Sequence, residues 1–302
     1  MTIPQNPQPP FNPVGQPGGG FNAPDARGPQ SDRAGAGRAG SPGPALAGEM
    51  VLLLRSELRK TYSTAAWWAL LIPAALLSLL VNLVTAQGNA LAFTPGLGMA
   101  IALGSFSSKL AVVYGVICAS SEFRHRTITT SFLTASGRPQ LIVAKAVVAG
   151  LVGAVYGAVS GIAGLLGAMF AGGLSVGLPP NLLSVCGLAV VTFALWGVLG
   201  VGVATLLSSQ LAAIVAVLVY LLLVEQVVSW IISLSGLGQI EPYMPGGAAN
   251  TALTELASEG TLAGTLMSGG TLPWWLALLI FAGYAVVAVL SGAAVAQRRD
   301  IT

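Results

Sequence analysis

Two charged residues interrupt stretches that are otherwise apolar, Lys109 and Glu225. Lys109 stands 12 residues before Ser121 and Glu225 stands 15 residues after Gln210. If both stretches are helices crossing a bilayer from those ends, the two charges lie roughly 18 and 22 Å deep at about 1.5 Å rise per residue. A lone charge at that depth costs about 2.5–3.5 kcal/mol on insertion scales, so each calls for an opposite partner. The pair can serve as a polar spot on a translocation path or as a buried tie between helices. The third possibility is that Lys109 snorkels to the headgroups.

A second cluster runs Ser121-Glu122-Phe123-Arg124-His125-Arg126-Thr127-Ile128, then Gly137-Arg138, then Lys145. It is polar and basic, and it joins two apolar stretches. His125 is the single histidine and has no second ligand in the sequence around it, so no metal site is expected. No phosphate-cradling GxxxxGK[ST] occurs, and none of the three lysines follows a glycine. There is no GxSxG and no run of in-membrane Asp, Glu or His resembling a proton relay. The chain is therefore expected to have no catalytic residues, to bind no cofactor of its own and not to be an enzyme.

The elements that must position these residues follow from composition. Of 302 residues, 54% are hydrophobic and 8% charged, and the mean hydropathy is +0.80. A soluble domain carries about 25% charged residues, so this chain cannot cover itself with a solvated surface and lipid must be its solvent. Apolar stretches near 65–86, 98–121, 141–171, 182–207, 211–235 and 273–296 match the roughly 20 residues that a bilayer core demands. They predict an all-α, polytopic bundle of six transmembrane helices. Twelve of the 13 Lys and Arg residues fall on one side of these spans, and the connections at 87–96, 173–181 and 237–272 contain none. That bias predicts a multi-pass protein of the plasma membrane with both termini and the 122–140 loop in the cytoplasm. The formal charge of +3 is explained by the same bias, and no nucleic-acid partner is expected.

Residues 1–46 hold ten prolines, many glycines and almost no aliphatic residues. They are expected to form a disordered cytoplasmic tail and, lacking an apolar h-region, not a signal peptide. Residues 47–61 predict a short amphipathic helix with Val51, Leu54, Leu58 and Tyr62 on one face and Arg55, Arg59 and Lys60 opposite, suited to the headgroup layer. The third span exceeds the bilayer requirement, so its first turns, with Lys145, are expected to project into the cytoplasm. Gly153, Gly157 and Gly161 form a stripe that lets another helix approach closely, and Gly200, Ala204 and Ser208 form a second. Pro73 predicts a kink in the first span. The brief link around Ser208–Gln210 predicts an antiparallel hairpin. In 237–272, Asn250 is a candidate cap for a helix through Glu259, and the segment is expected to lie on, or dip into, the outer leaflet. Cys118 and Cys186 are expected to be packing residues rather than a disulfide.

The loop pattern resembles the first cytoplasmic loop of type-2 ABC exporter permeases, in which Glu-Tyr-Arg-x-Gly-Thr is followed by Pro-x-x-Arg and then by a Lys a turn or two into the next helix. Glu122, Arg124, Thr127, Arg138 and Lys145 match; Arg126 stands where a Gly is usual and Ala135 where a Pro is usual. Over 47–302 the elbow helix, six spans, Tyr243-Met244-Pro245 in the long last outer loop and Arg298-Arg299 at the end are similar to that family. The resemblance implies a type-2 transmembrane domain over 47–302 that dimerises with a second copy or a homologous permease. It implies a separate ATPase subunit that carries ATP and Mg, and a docking surface formed by Glu122, Arg124, His125, Arg126, Thr127 and Arg138. The expected function is the permease subunit of an ATP-driven exporter of apolar or amphiphilic cargo. A secondary transporter or channel is the alternative.

Overall fold

The computed structural model describes residues 43–88, 106–124, 138–172, 181–207, 209–236, 238–258 and 272–298. Among the described residues the chain is all-helical, a bundle of apolar helices that makes it a multi-pass membrane protein. In chain order the elements are α1 (Gly43–Ser63), α2 (Ala66–Gly88), α3 (Ser108–Arg124), α4 (Arg138–Gly172) and α5 (Leu182–Leu207). They continue as α6 (Gln210–Val219), a π-helical turn (Tyr220–Val224), α7 (Glu225–Leu234), a 3-10 segment (Gly238–Tyr243), α8 (Pro245–Ser258) and α9 (Trp274–Arg298). Five helical runs are long and apolar enough to cross a membrane: those in α2, α4, α5, the joined α6–π–α7 rod and α9. The second expected span is described only from Phe106, where its apolar part, Ser108–Ser121, is shorter; its first third, 98–105, lies outside the described residues.

Long apolar side chains face outward on every span. Leu76 and Leu80 on α2, Val143, Val147 and Leu151 on α4, and Val286, Val287 and Leu290 on α9 are all at least 42% exposed. In water such a surface would associate; in hydrocarbon it costs nothing. Where the helices approach closely, the contacts are made by small residues instead. Both glycine stripes meet their partners: a Cβ on Gly157 would fall 2.8 Å from the Ala189 carbonyl oxygen of α5, and Gly200 of α5 abuts Val112 of α3. Gly115 and Gly197 face each other across α3 and α5. α5 is thus central, packed on α3, α4 and α9. The core around it holds Tyr114, Tyr156, Phe193, Trp196 and Phe281.

The chain turns are chemically explicit. Ser209 caps α6, its hydroxyl accepting from the Ala212 N–H, which closes the expected hairpin between α5 and α6. Gly236 takes a positive φ of 70° just past α7, the left-handed position at a helix end that glycine occupies without a Cβ penalty. Pro73 lies inside α2, which continues through it.

Three expectations about local structure are corrected. The first helix starts at Gly43, inside the stretch expected to be tail, because Pro44 is tolerated in a first helical turn and Ala45-Leu46-Ala47 favour helix. Its bundle-facing side carries Leu54, Glu57, Leu58 and Thr61, whereas Val51 and Tyr62 turn outward, 61% and 71% exposed. The helix is rotated because Glu57 is drawn inward. Lys145, expected to project into the cytoplasm, is 3% exposed: its Nζ donates to Glu57 Oε2 at 2.9 Å. Lys60 donates to the other oxygen, Oε1, at 2.7 Å. The Thr61 and Tyr114 hydroxyls hydrogen-bond at 3.1 Å, and the Tyr156 hydroxyl donates to the Trp67 carbonyl. Together these contacts tie α1 to α3 and to the first turns of α4, and the start of α2 to the middle of α4 at Tyr156.

Candidate functional site: a polar centre in the middle of the spans

Glu225 opens α7 immediately after the π turn Tyr220–Val224. A π turn adds a residue to the helical repeat and re-aims the side chains after it, which is why such bulges recur at functional positions. In α7 the usual pattern is inverted. Glu225 is 4% exposed, while Val227, Trp230, Ile231 and Leu234 are 51–69% exposed. A charged group turned to the bundle interior with apolar neighbours turned to lipid is the arrangement hydrocarbon imposes.

The carboxylate meets the N-terminus of α8. The Gly247 N–H donates to Glu225 Oε1 at 2.8 Å, and the Gly246 N–H also bonds the carboxylate. Helix starts leave their first N–H groups without intrahelical partners, and here a side chain from another helix, 22 residues earlier, supplies the acceptor. The sequence Pro245-Gly246-Gly247 suits each role. Pro245 has no N–H to satisfy. A Cβ on Gly246 would collide with the Glu225 carboxyl group, and one on Gly247 with the Glu241 carbonyl oxygen. The negative charge also complements the positive end of the α8 dipole. α8 therefore begins at Pro245, five residues before the expected cap Asn250, which sits inside the helix with its Oδ1 buried and unpartnered.

Two contacts give α8 its direction. Its first residue, Pro245, lines a groove together with Trp196 of α5 and Tyr220 of the π turn in the α6–α7 rod, well within those spans. Near its end, the Leu256 carbonyl accepts from Asn181 Nδ2 at 3.4 Å, just before α5 begins. The helix thus rises from mid-span to the end of the bundle opposite Arg124, Arg138 and Arg298. The Tyr284 hydroxyl of α9 donates to the Tyr243 carbonyl at 2.9 Å, fastening the 3-10 segment that leads into it.

Lys109, in the first turn of α3, is 8% exposed. Its Nζ lies 5.5 Å from the centroid of the Trp196 ring, within the range of a cation–π contact, and its charge and that of Glu225 act on one another. Trp196 is fully buried and packs against Phe281, the rings tilted by 55° with centroids 4.7 Å apart. The site thus draws on α3, α5, α7, α8 and α9. It brings the two in-span charges expected from the sequence into one electrostatic neighbourhood, and it adds Trp196, Gly246 and Gly247, which sequence inspection did not single out as site residues. A Pro-Gly-Gly at a helix start was the available signal for the last two.

For the expected docking loop, Glu122 and Arg124 fall in the last turn of α3 and Arg138 opens α4. His125, Arg126 and Thr127 lie outside the described residues. A small pocket between α1 and α3 is lined by Glu57, Thr61, Tyr114, Ile117 and Ser121. Among the described residues no group of three or more His, Cys, Asp or Glu side chains could hold a metal, and Cys118 and Cys186 are free thiols. Comparison with protein-family models and with curated proteins finds no match for this sequence.

Proposed function

We propose that the chain is the membrane-spanning subunit of an ATP-driven exporter of the type-2 ABC kind. It dimerises with a second copy or a homologous permease and works with a separate ATPase that hydrolyses Mg-ATP. The observation that carries this is the ordered pattern Glu122-Phe123-Arg124, Arg138 and Lys145 between the second and third spans. A partner that closes on ATP must push on something stiff. The end of this pattern is stiff, because Lys145 is clamped by the buried Glu57 carboxylate to the elbow helix. Motion imposed on the loop would then pass through α4 and α1 together into the glycine-packed α3–α4–α5 core. The surface of outward apolar side chains fits a cargo that reaches the protein from, or leaves it into, lipid. Replacing Glu122 and Arg124 together by Ala should lower transport while the protein stays in the membrane at normal level. Full transport by that double variant would reject docking through this loop.

The basic side of the bundle is taken to face the cytoplasm, since the three connections on the other side, 87–96, 173–181 and 237–272, contain no Lys or Arg. A single cysteine placed at Ser258, at the end of α8, should react with an impermeant maleimide in intact cells. Labelling only after permeabilisation would invert the orientation.

A secondary transporter or channel has one observation in its favour. α8 is a half-length helix whose N-terminus meets a carboxylate at mid-span, a device that such transporters also use. Transport driven by an ion gradient in vesicles without any ATPase would select that alternative.

A further inference from the structure

The side of α1 that faces away from the bundle carries a stripe with no part in the proposed transport cycle. Val51, Arg55, Arg59 and Tyr62 follow one another along it, and at about 3.6 residues per turn they share roughly a quarter of the helix circumference. All four are exposed, and Leu52 beside them is 67% exposed. The stripe cannot turn away, because the Glu57–Lys145 ion pair and the Thr61–Tyr114 hydrogen bond hold the opposite side of α1 against the bundle. Neither guanidinium has an ion-pair or hydrogen-bond partner among the described residues. Glu57 faces inward, where it binds Lys60 and Lys145. Glu49 precedes Arg55 but lies about a third of a turn round the helix from it.

The corner that ends α1 places this stripe at the membrane surface. The next helix is apolar enough to span from Ala66, two to three turns past Arg55 and Arg59. At the corner the Tyr62 and Trp67 rings meet edge-on with centroids 6.0 Å apart, and Trp68 is 48% exposed. Tyrosine and tryptophan at the end of a span belong to the headgroup level. In water, Val51, Leu52 and Tyr62 would stand uncovered; at the headgroup layer they enter the acyl boundary while the arginines meet phosphates. Two guanidiniums one turn apart, about 6 Å along the axis, reach a single headgroup, and each presents a planar fork that matches phosphate oxygens. A zwitterionic headgroup carries its own ammonium beside the phosphate; an anionic one does not. We infer that the outward stripe of α1 is a binding site for the headgroup of an anionic phospholipid, with Arg55 and Arg59 on its phosphate and Val51 and Tyr62 against the top of its acyl chains. The site requires no ATPase and stands independently of the proposed transport cycle.

The test titrates the full-length chain in mild detergent with phosphatidylglycerol or with phosphatidylcholine of the same acyl composition, and native mass spectrometry counts the bound lipids. Phosphatidylglycerol should bind more tightly. A basic residue near an anionic surface contributes about fivefold in affinity. Arg55→Gln and Arg59→Gln should therefore each weaken phosphatidylglycerol binding about fivefold and together about 25-fold, with phosphatidylcholine binding unchanged. Arg298→Gln removes the same charge elsewhere on the bundle and should bind phosphatidylglycerol like wild type. Ser56→Glu sets a carboxylate one turn from Arg59 and should weaken binding as well if the double variant does not fold. Equal affinity of the wild type for the two lipids, undiminished binding by the double variant, or an equal loss in Arg298→Gln would each overturn the assignment. So would disulfide-linked dimers of Arg59→Cys in the membrane, which would show a second copy over the stripe.

Discussion

Glu225→Ala should lower the thermal-unfolding midpoint of the purified protein by roughly 5–15 °C, the shift expected for a loss of about 2–4 kcal/mol. The substitution leaves the Gly246 and Gly247 N–H groups without their acceptor in a buried, apolar setting. It also removes the negative charge that Lys109 feels. Glu225→Gln keeps one acceptor oxygen and should fall between wild type and Ala. The charge swap Lys109→Glu with Glu225→Lys should not restore stability, because a lysine at 225 cannot accept from the start of α8. Gly246→Ala should mimic Glu225→Ala, since the added methyl would occupy the carboxylate's place. Rescue by the swap would mean that the two charges matter only to each other. Wild-type stability of Glu225→Ala would mean that the carboxylate does not hold α8.

The second large effect belongs to the ion pair at the other end. Glu57 and Lys145 are both 3% exposed, and breaking a buried pair by removing one partner costs about 3–5 kcal/mol. The two single changes should differ. Glu57→Ala removes the one carboxylate that both lysines share, whereas Lys145→Ala leaves Glu57 with Lys60, whose ammonium is 2.7 Å away. Glu57→Ala should therefore be the more damaging. Replacing both by apolar residues of similar size, Glu57→Leu with Lys145→Met, should recover much of the loss, because a well-packed apolar pair often equals a buried ionic one. Thermal midpoints of Glu57→Leu, Lys145→Met and the variant carrying both close a double-mutant cycle. Additive losses would show that the two residues do not interact.

The division between what was legible in the sequence and what was not tracks the range of each signal. Spans are read from runs of about 20 apolar residues, a purely local property, and α2, α4, α5, α6–α7 and α9 fall where those runs predict. Glycines at four-residue spacing mark close approach whichever neighbour they meet, so Gly157 and Gly200 were identifiable before their partners. Lys145 was expected in the cytoplasm from the excess length of the third span, and span length cannot tell a solvated lysine from one held against another helix. Its partner lies 88 residues away on another helix, and nothing local announces the pairing. The rotation of α1 has the same origin: a hydrophobic face was assigned by counting aliphatic residues, and a single buried carboxylate outweighed it. Lys109 and Glu225 were recognisable because charge in hydrocarbon is rare. That Glu225 ends on the backbone of α8 was not, since the π turn that aims it leaves no trace in the sequence and an acceptor supplied from another helix cannot be read from residues near the cap.

The proposed transport cycle requires a separate ATPase docked on the loop between α3 and α4. It is checked by mild-detergent purification of the tagged full-length chain from its native membrane, with identification and counting of co-eluting chains and an assay of ATP hydrolysis. The predicted result is a P-loop ATPase without membrane spans in equal number with the permease, hydrolysing Mg-ATP, and lost when Glu122 and Arg124 are both alanine. A chain that elutes without an ATPase, yet still transports after reconstitution alone, would contradict that cycle.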